Sequence, residues 1–384
     1  MWAGRSAGLY VHVPFCGIVC PYCDFAVRTG GPDLRRRYRE HVEREVALYG
    51  GDRGLDVNSV YLGGGTPSLL DPDELRRLLA AVRAGLEVRA DAWLTLEANP
   101  EDVTSAQLDV WRALGVRTVS LGVQSLSAER LGYLGRRHDP ETARACVRLS
   151  REAGIEVVSV DLIYGLPGDT AADVRAELAA AVELGADHLS CYQLTVKDGT
   201  LFGKRRRRGE LAELGDDAQA ELFLLVHRFL ADAGYAPYEV SSFARRPDAR
   251  SRHNRKYWDH SPYLGLGPAA HSFDGRQLRW WNQRRLSDWQ DALAKGERPV
   301  AGQEELSRED LALEELMLRL RTVDGVDLDG FRERHGVSLP DRNRALVERL
   351  VKDGLIALTE DRLRPTARGL AVADRLAASF DLAG

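Results

Sequence analysis

Residues 9–23 read LYVHVPFCGIVCPYC, an apolar strand pattern that runs directly into a loop with Cys16, Cys20 and Cys23. Three thiols at spacings of x3 and x2 can surround one soft metal centre, for which zinc and an iron–sulfur cluster are the candidates. A structural zinc site needs a fourth ligand, and the near candidate, His12, falls inside the strand pattern. The stretch therefore indicates a four-iron cluster that leaves one iron open to an external ligand carrying an amine and a carboxylate.

Strand and helix patterns alternate through the first two-thirds of the chain. The predicted strands are Leu9–Val13, Ser59–Leu62, Trp93–Glu97, Thr118–Val123, Val157–Ile163 and His188–Leu194. The predicted helices between and after them are Leu34–Tyr49, Pro72–Ala84, Ser105–Leu114, Pro140–Ala153, Ala171–Leu184 and Asp216–Ala233. Repeated βα units predict a parallel sheet, and six of them predict a partial (β/α) TIM-like barrel, with a flat doubly wound sheet as the alternative.

The alternation of strand and helix patterns ends in the last third of the sequence. This change divides the chain into three predicted parts. We expect the barrel in residues 1–240, a hairpin-containing segment packed on it in 241–304, and a small module in 305–384. The module reads helix–helix–helix–hairpin, the order of a winged helix, so the fold class is α/β with a winged-helix-like α+β module. Its 13 Arg and Lys against 16 Asp and Glu oppose phosphate binding, so we predict no nucleic-acid partner.

Composition sets the expected environment of the protein. The net charge of −5 over 384 residues provides no basic field for nucleic acid, and five cysteines are too few for a secreted disulfide scaffold. No signal-peptide pattern is visible and no apolar run approaches the ~18 residues that span a bilayer, which predicts a cytoplasmic protein. The basic run Lys204–Arg208 reads as a solvated loop, or else as a peripheral contact with a membrane surface.

Polar or glycine-rich groups follow one strand after another. Gly63–Thr66 follow the second strand, and Glu97, Gln124, Asp161 and Gln193 lie at the ends of the next four. In βα barrels the active site is built from these strand ends, so we expect these groups at one face together with the cysteine loop. Three consecutive glycines also allow a backbone to approach a ligand closely.

Taken together, several motifs resemble the oxygen-independent coproporphyrinogen III oxidase-like group of radical S-adenosylmethionine (SAM) proteins. They are YVHVPFC, CPYCDF, GGGTPS, LEANPE, LGVQS, DLIYGLPG and YQLT, within residues 9–195. The resemblance implies a barrel of the radical SAM type, with Cys16, Cys20 and Cys23 as ligands of a [4Fe-4S] cluster. It also implies a SAM-binding set made of Tyr10, Tyr22, Gly64, Gly65, Thr66, Glu97, Gln124, Arg136 and Asp161.

Two functions compete within that group. Oxidases of porphyrin biosynthesis resemble this chain but carry a fourth cysteine, where this sequence has Phe25. The segment His253-Asn-Arg-Lys-Tyr257-Trp258 instead resembles the HNxxYW motif of HemW-type heme chaperones. Imidazole is a good axial ligand for heme iron, and aromatic rings offer flat surface for the macrocycle.

The resemblance therefore implies a heme chaperone that binds heme through His253, Tyr257 and Trp258 and delivers it to recipient heme proteins such as respiratory enzymes. In the nearby YLGLGPAAHS segment, Gly265 and Gly267 could shape the heme pocket, and His271 is a weaker candidate for a second heme ligand. The alternatives are coproporphyrinogen III oxidase and, less favoured, a radical SAM methyltransferase or cyclopropanase, so enzymatic activity stays open. A homodimer is a further possibility.

Overall fold

Six parallel strands form the centre of the molecule and follow one another in sequence order. The computed structural model describes residues 2, 6–52 and 54–382. The strands are β1 (Ser6–Val13), β2 (Asp56–Gly64), β3 (Val88–Ala98), β4 (Val116–Gln124), β5 (Val157–Tyr164) and β6 (His188–Gln193). A doubly wound sheet reverses its strand order at a switch point, whereas this one runs β1 to β6 without reversal. The predicted partial barrel is therefore confirmed.

Helices connect and follow these strands, and several of them pack against the sheet. They are α1 (Pro32–Tyr49), α2 (Pro72–Gly85), α3 (Ser105–Ala113), α4 (Ala128–Tyr133), α5 (Pro140–Glu152), α6 (Ala171–Glu183), α7 (Leu201–Arg207) and α8 (Asp216–Asp232). Several begin at capping side chains: Asp71 forms a complete capping box with Glu74 at α2, and Asp139 caps α5. The expected loop at Lys204–Arg208 is wrong for most of the run, because α7 extends to Arg207 from the cap of Thr200.

The sheet continues beyond both outer strands. On one side β6 pairs with β8 (Ser242–Ala244), which pairs with β7 (Ala236–Pro237). The short helix α9 (Asn254–Trp258) follows. On the other side β1 pairs with β9 (Tyr263–Leu266), and β10 (His271–Phe273), β11 (Leu278–Asn282) and β12 (Val300–Glu305) extend the sheet. Much of the segment 241–304 therefore prolongs the barrel sheet, and α10 (Leu286–Ala294) packs against α1.

A smaller unit with its own apolar core ends the chain. Its elements are α11 (Arg308–Arg319), β13 (Val326–Asp327), α12 (Leu328–His335), α13 (Leu339–Arg342), α14 (Arg344–Lys352), β14 (Ile356–Leu358), β15 (Arg362–Pro365), α15 (Ala367–Leu370) and α16 (Ala373–Ala378). Three antiparallel strands in the order β13-β15-β14 form the wing. Leu316, Phe331 and Leu363 are fully buried at its centre. The winged-helix-like module is confirmed, and helix α11 joins it to the barrel.

Among the described residues, no helix is long and apolar enough to cross a membrane.

Candidate functional site

A cavity of about 330 Å³ opens at the carboxyl ends of the six parallel strands. The predicted residues that line it are Cys16, Cys20, Tyr22, Cys23, Gly64, Gly65, Thr66, Glu97, Gln124, Arg136 and Asp161. Strand order explains this convergence, because the carboxyl ends of neighbouring parallel strands lie at the same edge of the sheet. We call this space the cluster cavity.

The cysteine loop forms one wall of the cluster cavity. All three thiols are free and partly exposed, and the Cys23 N–H donates to the Cys20 carbonyl at 3.1 Å. Burial raises the pKa of Cys16 to about 11 and also raises that of Cys23, so thiolates here need a compensating positive charge. Within residues 2, 6–52 and 54–382, no three His, Cys, Asp or Glu side chains are arranged to hold a single metal ion. A four-iron cluster is wider than one ion, and three thiols around a shared cavity fit it.

The glycine residues at the end of β2 line the cavity wall with backbone atoms that carry no side chain. Gly64 has φ of +99°, and a Cβ there would lie 2.2 Å from Nδ1 of His12. A Cβ on Gly65 would lie 2.6 Å from the Val13 carbonyl oxygen. Both positions therefore exclude side chains, which leaves peptide groups beside the cysteine loop to contact a ligand.

Two half-buried carboxyl groups at strand ends also line the cluster cavity. Glu97 accepts hydrogen bonds from the Tyr61 hydroxyl at 2.7 Å and from the Gly64 N–H at 3.0 Å. Burial raises the pKa of Glu97 to about 7 and that of Asp161 to about 6. Ser120 donates to Asp161 at 3.3 Å. Carboxyl groups held in this way suit a ligand that presents ammonium or hydroxyl groups.

Arg136 connects the cysteine loop with the strand ends. Its Nη1 lies 3.4 Å from Sγ of Cys20, and its Nη2 donates to Oδ1 of Asn99 at 2.7 Å and to the Gly122 carbonyl at 2.8 Å. Gln124 ends β4 with φ of +66°, a conformation that non-glycine residues adopt rarely and that clusters at functional sites. The cation of Arg136 is therefore fixed where a ligand carboxylate could pair with it.

Tyr10 lies apart from the other residues of the predicted SAM set. Its side chain lines a second cavity of about 420 Å³ next to the first, and its hydroxyl is 3.1 Å from Nδ1 of His12. We call this space the aromatic cavity. Phe25, Gly64 and Glu97 line both cavities, so the two are neighbours.

The three residues predicted to bind heme have different surroundings. His253 is only 2% exposed, with Nδ1 3.2 Å from the Ser59 hydroxyl and Nε2 3.0 Å from the Tyr257 hydroxyl. Tyr257 lines the aromatic cavity. Trp258 is not among its lining residues, and its ring lies 5.7 Å from the guanidinium of Arg321. His271 lines the aromatic cavity and is exposed.

Comparison with known proteins identifies the family. Residues 10–181 match the model of the radical SAM superfamily, and residues 306–372 match that of the HemN C-terminal domain. The Heme chaperone HemW of Mycobacterium tuberculosis is 41% identical over 377 residues, which covers 97% of this chain and 94% of that protein. The chain belongs to the HemW family. The Heme chaperone HemW of Escherichia coli, another member, is 36% identical and covers 82% of both chains.

A solved structure supports the fold independently. Coproporphyrinogen III oxidase (HemN) from Escherichia coli, described as a radical SAM enzyme, superposes with a TM-score of 0.83 at 24% identity. The match covers 97% of this chain and 89% of that one. Membership of the HemW family and the radical SAM superfamily confirms the resemblance seen in the motifs. Superfamily membership implies the [4Fe-4S] cluster and SAM.

Some residues of the two cavities carry no clear signal in the sequence of this HemW family member. Asn99 lines the cluster cavity and accepts a hydrogen bond from Arg136, but only its place in the LEANPE motif hints at this. Tyr61 lines neither cavity and supports Glu97 through a hydrogen bond. Arg284 lines the aromatic cavity from a turn after β11, far along the chain from the cysteine loop. Phe25 stands out only as the residue in place of a fourth cysteine, and its side chain is 64% exposed between the cavities.

Proposed function

We propose that this chain is a heme chaperone, which binds heme and delivers it to heme proteins. The observation that carries the proposal is similarity over 97% of the chain, barrel and module together, to proteins named heme chaperones. The aromatic cavity supports it, because the rings of Tyr10, Phe25, Tyr257 and Tyr263 offer flat apolar surface that a macrocycle can cover.

The chain's own residues would hold the two other cofactors in the cluster cavity. Cys16, Cys20 and Cys23 would bind the [4Fe-4S] cluster, which when bound supplies an open iron for the amine and carboxylate of SAM. Arg136 would pair with the carboxylate of SAM, and the glycine backbone at Gly64 would face its amino group. The remaining SAM-binding residues of this proposal are Tyr22, Gly65, Thr66, Glu97, Gln124 and Asp161, with Tyr10 at the boundary of the neighbouring cavity.

The HNxxYW segment belongs to the same proposal. Tyr257 would contact heme in the aromatic cavity, and His253 is bonded to Tyr257. Ligation of the iron by His253 stays a prediction, because one of its two hydrogen bonds would first have to break. Contact of Trp258 with heme also stays a prediction.

The proposal also includes the recipient proteins, the location and the oligomeric state. We expect delivery to respiratory heme proteins, a cytoplasmic location and a possible homodimer. Helix α7 could contact an anionic membrane, although Arg206 already pairs with Asp198 and Glu213. Replacing Lys204, Arg205, Arg207 and Arg208 by Gln should weaken binding to anionic liposomes, and unchanged binding would remove the idea.

The test of function is an anaerobic titration of the cluster-reconstituted protein with heme, followed by mixing with an apo heme protein. A chaperone gives stoichiometric binding in the Soret region and then transfers heme to the acceptor faster than free heme partitions. Absence of specific binding would contradict the proposal. Turnover of coproporphyrinogen III under SAM and reductant would instead support an oxidase.

A further inference from the structure

The histidines around the aromatic cavity differ in whether their ring nitrogens are free. His12 is buried, with Nδ1 3.1 Å from the Tyr10 hydroxyl and Nε2 3.0 Å from a backbone carbonyl. His253 is likewise engaged at both nitrogens, by Ser59 and Tyr257. An imidazole coordinates iron through a nitrogen lone pair, so neither ring can do so without losing a hydrogen bond.

His271 is in the opposite situation. It begins β10, its side chain is exposed, and it lines the aromatic cavity. Its ring stacks on Trp281 with centroids 6.0 Å apart and planes 28° from parallel. No described residue makes a hydrogen bond to either of its ring nitrogens. Partial desolvation against the cavity wall lowers its pKa, and Arg279 lowers it further against the opposite effect of Glu304, so the ring stays neutral near pH 7. It is an oriented imidazole with a free lone pair.

The walls of the cavity provide apolar surface beside this imidazole. Tyr257 packs edge to face on Tyr263, with ring centroids 4.8 Å apart. Nε2 of His253 lies 3.0 Å from the Tyr257 hydroxyl, and this hydrogen bond fixes the orientation of the Tyr257 ring. Phe25 stands at the rim with most of its side chain exposed to solvent. A flat apolar ligand could cover these rings.

The cavity also contains a cation whose charge is not neutralised. Arg284 is exposed and donates from Nη2 to the Asp24 carbonyl oxygen at 2.9 Å. Over residues 6–52 and 54–382, no carboxylate lies within ion-pair distance of its guanidinium. A guanidinium fixed by one backbone bond retains donors for a ligand carboxylate.

We propose that His271 binds the heme iron in the aromatic cavity and that Arg284 pairs with one heme propionate. His253 is then a positioning residue, which holds Tyr257 at the cavity wall and does not touch the iron. The inference rests on the proposed heme-binding function and specifies its site. Heme ligation thereby moves from the buried histidine of the HNxxYW segment to an exposed one on β10.

The iron ligand is tested by anaerobic titration of the cluster-reconstituted protein with heme, read by the Soret band and by electron paramagnetic resonance of the ferric form. His271→Ala should weaken binding by about tenfold or more and change the ligand field, since it removes a direct bond. His271→Met should bind heme with a thioether spectrum, a change that a purely structural role would not cause. His41→Ala, a partly exposed histidine on α1, is the matched control and should behave as wild type.

The outcomes separate the inference from the proposed function. If wild type does not bind heme, the proposed function fails. Suppose that wild type binds heme and that His271→Ala retains the imidazole ligand field of the heme iron. If a folded His253→Ala or His253→Gln variant then loses that ligand field, the assignment to His271 is overturned. An unchanged spectrum in His271→Met would overturn it as well. We expect His253→Ala to retain the imidazole spectrum with broadened lines, because Tyr257 loses its support.

The propionate contact is tested with heme and its dimethyl ester. Arg284→Gln should weaken heme binding about fivefold to tenfold, the scale of one charge-assisted hydrogen bond at an exposed site. The same variant should leave binding of the dimethyl ester unchanged, because the ester lacks the carboxylates. Arg285→Gln, on the adjacent exposed arginine, should affect neither ligand. Equal losses for heme and ester in Arg284→Gln would contradict the assignment.

Discussion

A methyl group at Gly64 would collide with a side chain that is already bonded. The added Cβ would lie 2.2 Å from Nδ1 of His12 in a backbone at φ of +99°. Gly64→Ala should therefore lower the free energy of unfolding by about 2–4 kcal/mol, from backbone strain together with the collision. It should also abolish SAM binding. Urea unfolding and SAM titration measure both effects.

Gly234 provides the matched control for this substitution. Its φ is +85°, and a Cβ there would have nothing within 4 Å. Gly234→Ala should thus cost only the backbone strain, about 1 kcal/mol, and leave SAM binding intact. Equal losses of stability in the two variants would contradict the steric argument.

Acid should destabilise the protein partly through His188. Its nitrogens lie 2.8 Å from the hydroxyls of Ser159 and Tyr238, and burial lowers its pKa to about 4. Because the folded-state pKa is below the unfolded value of about 6.5, the stabilisation present above that pH is lost as pH falls toward 4. The loss amounts to at most about 3 kcal/mol.

The variant His188→Gln tests this pH dependence. It should be less stable than wild type at pH 7 but lose less stability between pH 6.5 and 4, as followed by urea unfolding at several pH values. His41→Gln should follow the wild-type curve. A His188→Gln curve parallel to that of wild type would remove His188 as a cause of acid sensitivity.

Most residues of the cluster cavity could be predicted from the sequence, because parallel strands present their carboxyl ends together. The same reasoning does not predict the positions of Tyr10 and Trp258. Tyr10 precedes the end of β1 and faces the neighbouring cavity, and Trp258 points away from Tyr257 because consecutive helical residues differ by about 100°. Whether a histidine has a free nitrogen depends on tertiary neighbours such as Ser59, which lies 194 positions from His253.

At the scale of elements, the sequence predicts helix starts well because capping is local. Asp71 accepts hydrogen bonds from the N–H groups of Asp73 and Glu74, both at 2.9 Å. Asp71→Ala should lower the free energy of unfolding by about 1 kcal/mol, since two N–H groups of α2 lose their acceptor. Asp73→Ala, in the same turn but exposed and paired only with Arg76, should cost less than about 0.5 kcal/mol. Chemical denaturation of both variants checks this, and equal costs would contradict it.

Elements that depend on distant contacts were harder to predict. The segment 235–240 forms a strand only at Ala236–Pro237, because Pro237 has no N–H to continue the ladder. The helical pattern over residues 341–352 is divided at Asn343, whose side chain bonds to the backbone of Asp381. The division at Asn343 follows from a distant partner that local periodicity does not reveal, whereas the limit at Pro237 is local.

At the scale of the whole molecule, the extended sheet explains why two cavities adjoin. Strand β9 pairs with β1 in parallel, so β9 and the turn after it stand beside the cysteine loop that follows β1. Gly64 and Glu97 then belong to the walls of both cavities. SAM bound at Glu97 and heme bound at Tyr257 would thus be close enough to influence each other's affinity.

A half-buried acidic group is one of several contacts between the C-terminal module and the barrel, and it supports a prediction for the whole chain. Glu314 of α11 pairs with Arg279 of β11, and Nε2 of His260 lies 3.2 Å from its carboxylate. Burial would raise its pKa, but the bonds from His260 and Arg279 lower it to about 2. Its stabilisation is therefore present above about pH 4.5 and is lost as pH falls toward 2.

Glu314→Gln should accordingly loosen the module at pH 7. After allowance for solvent screening we expect a loss of about 1 kcal/mol, concentrated at the contact between α11 and the barrel. Hydrogen exchange should become faster in α11 and in the segment around His260, while the parallel strands keep their protection. Glu309→Gln, in the first turn of the same helix but exposed, should leave exchange unchanged. If exchange in α11 stays as slow as in wild type, or becomes faster throughout the barrel, Glu314 is not what holds the module, and its apolar contacts do so instead.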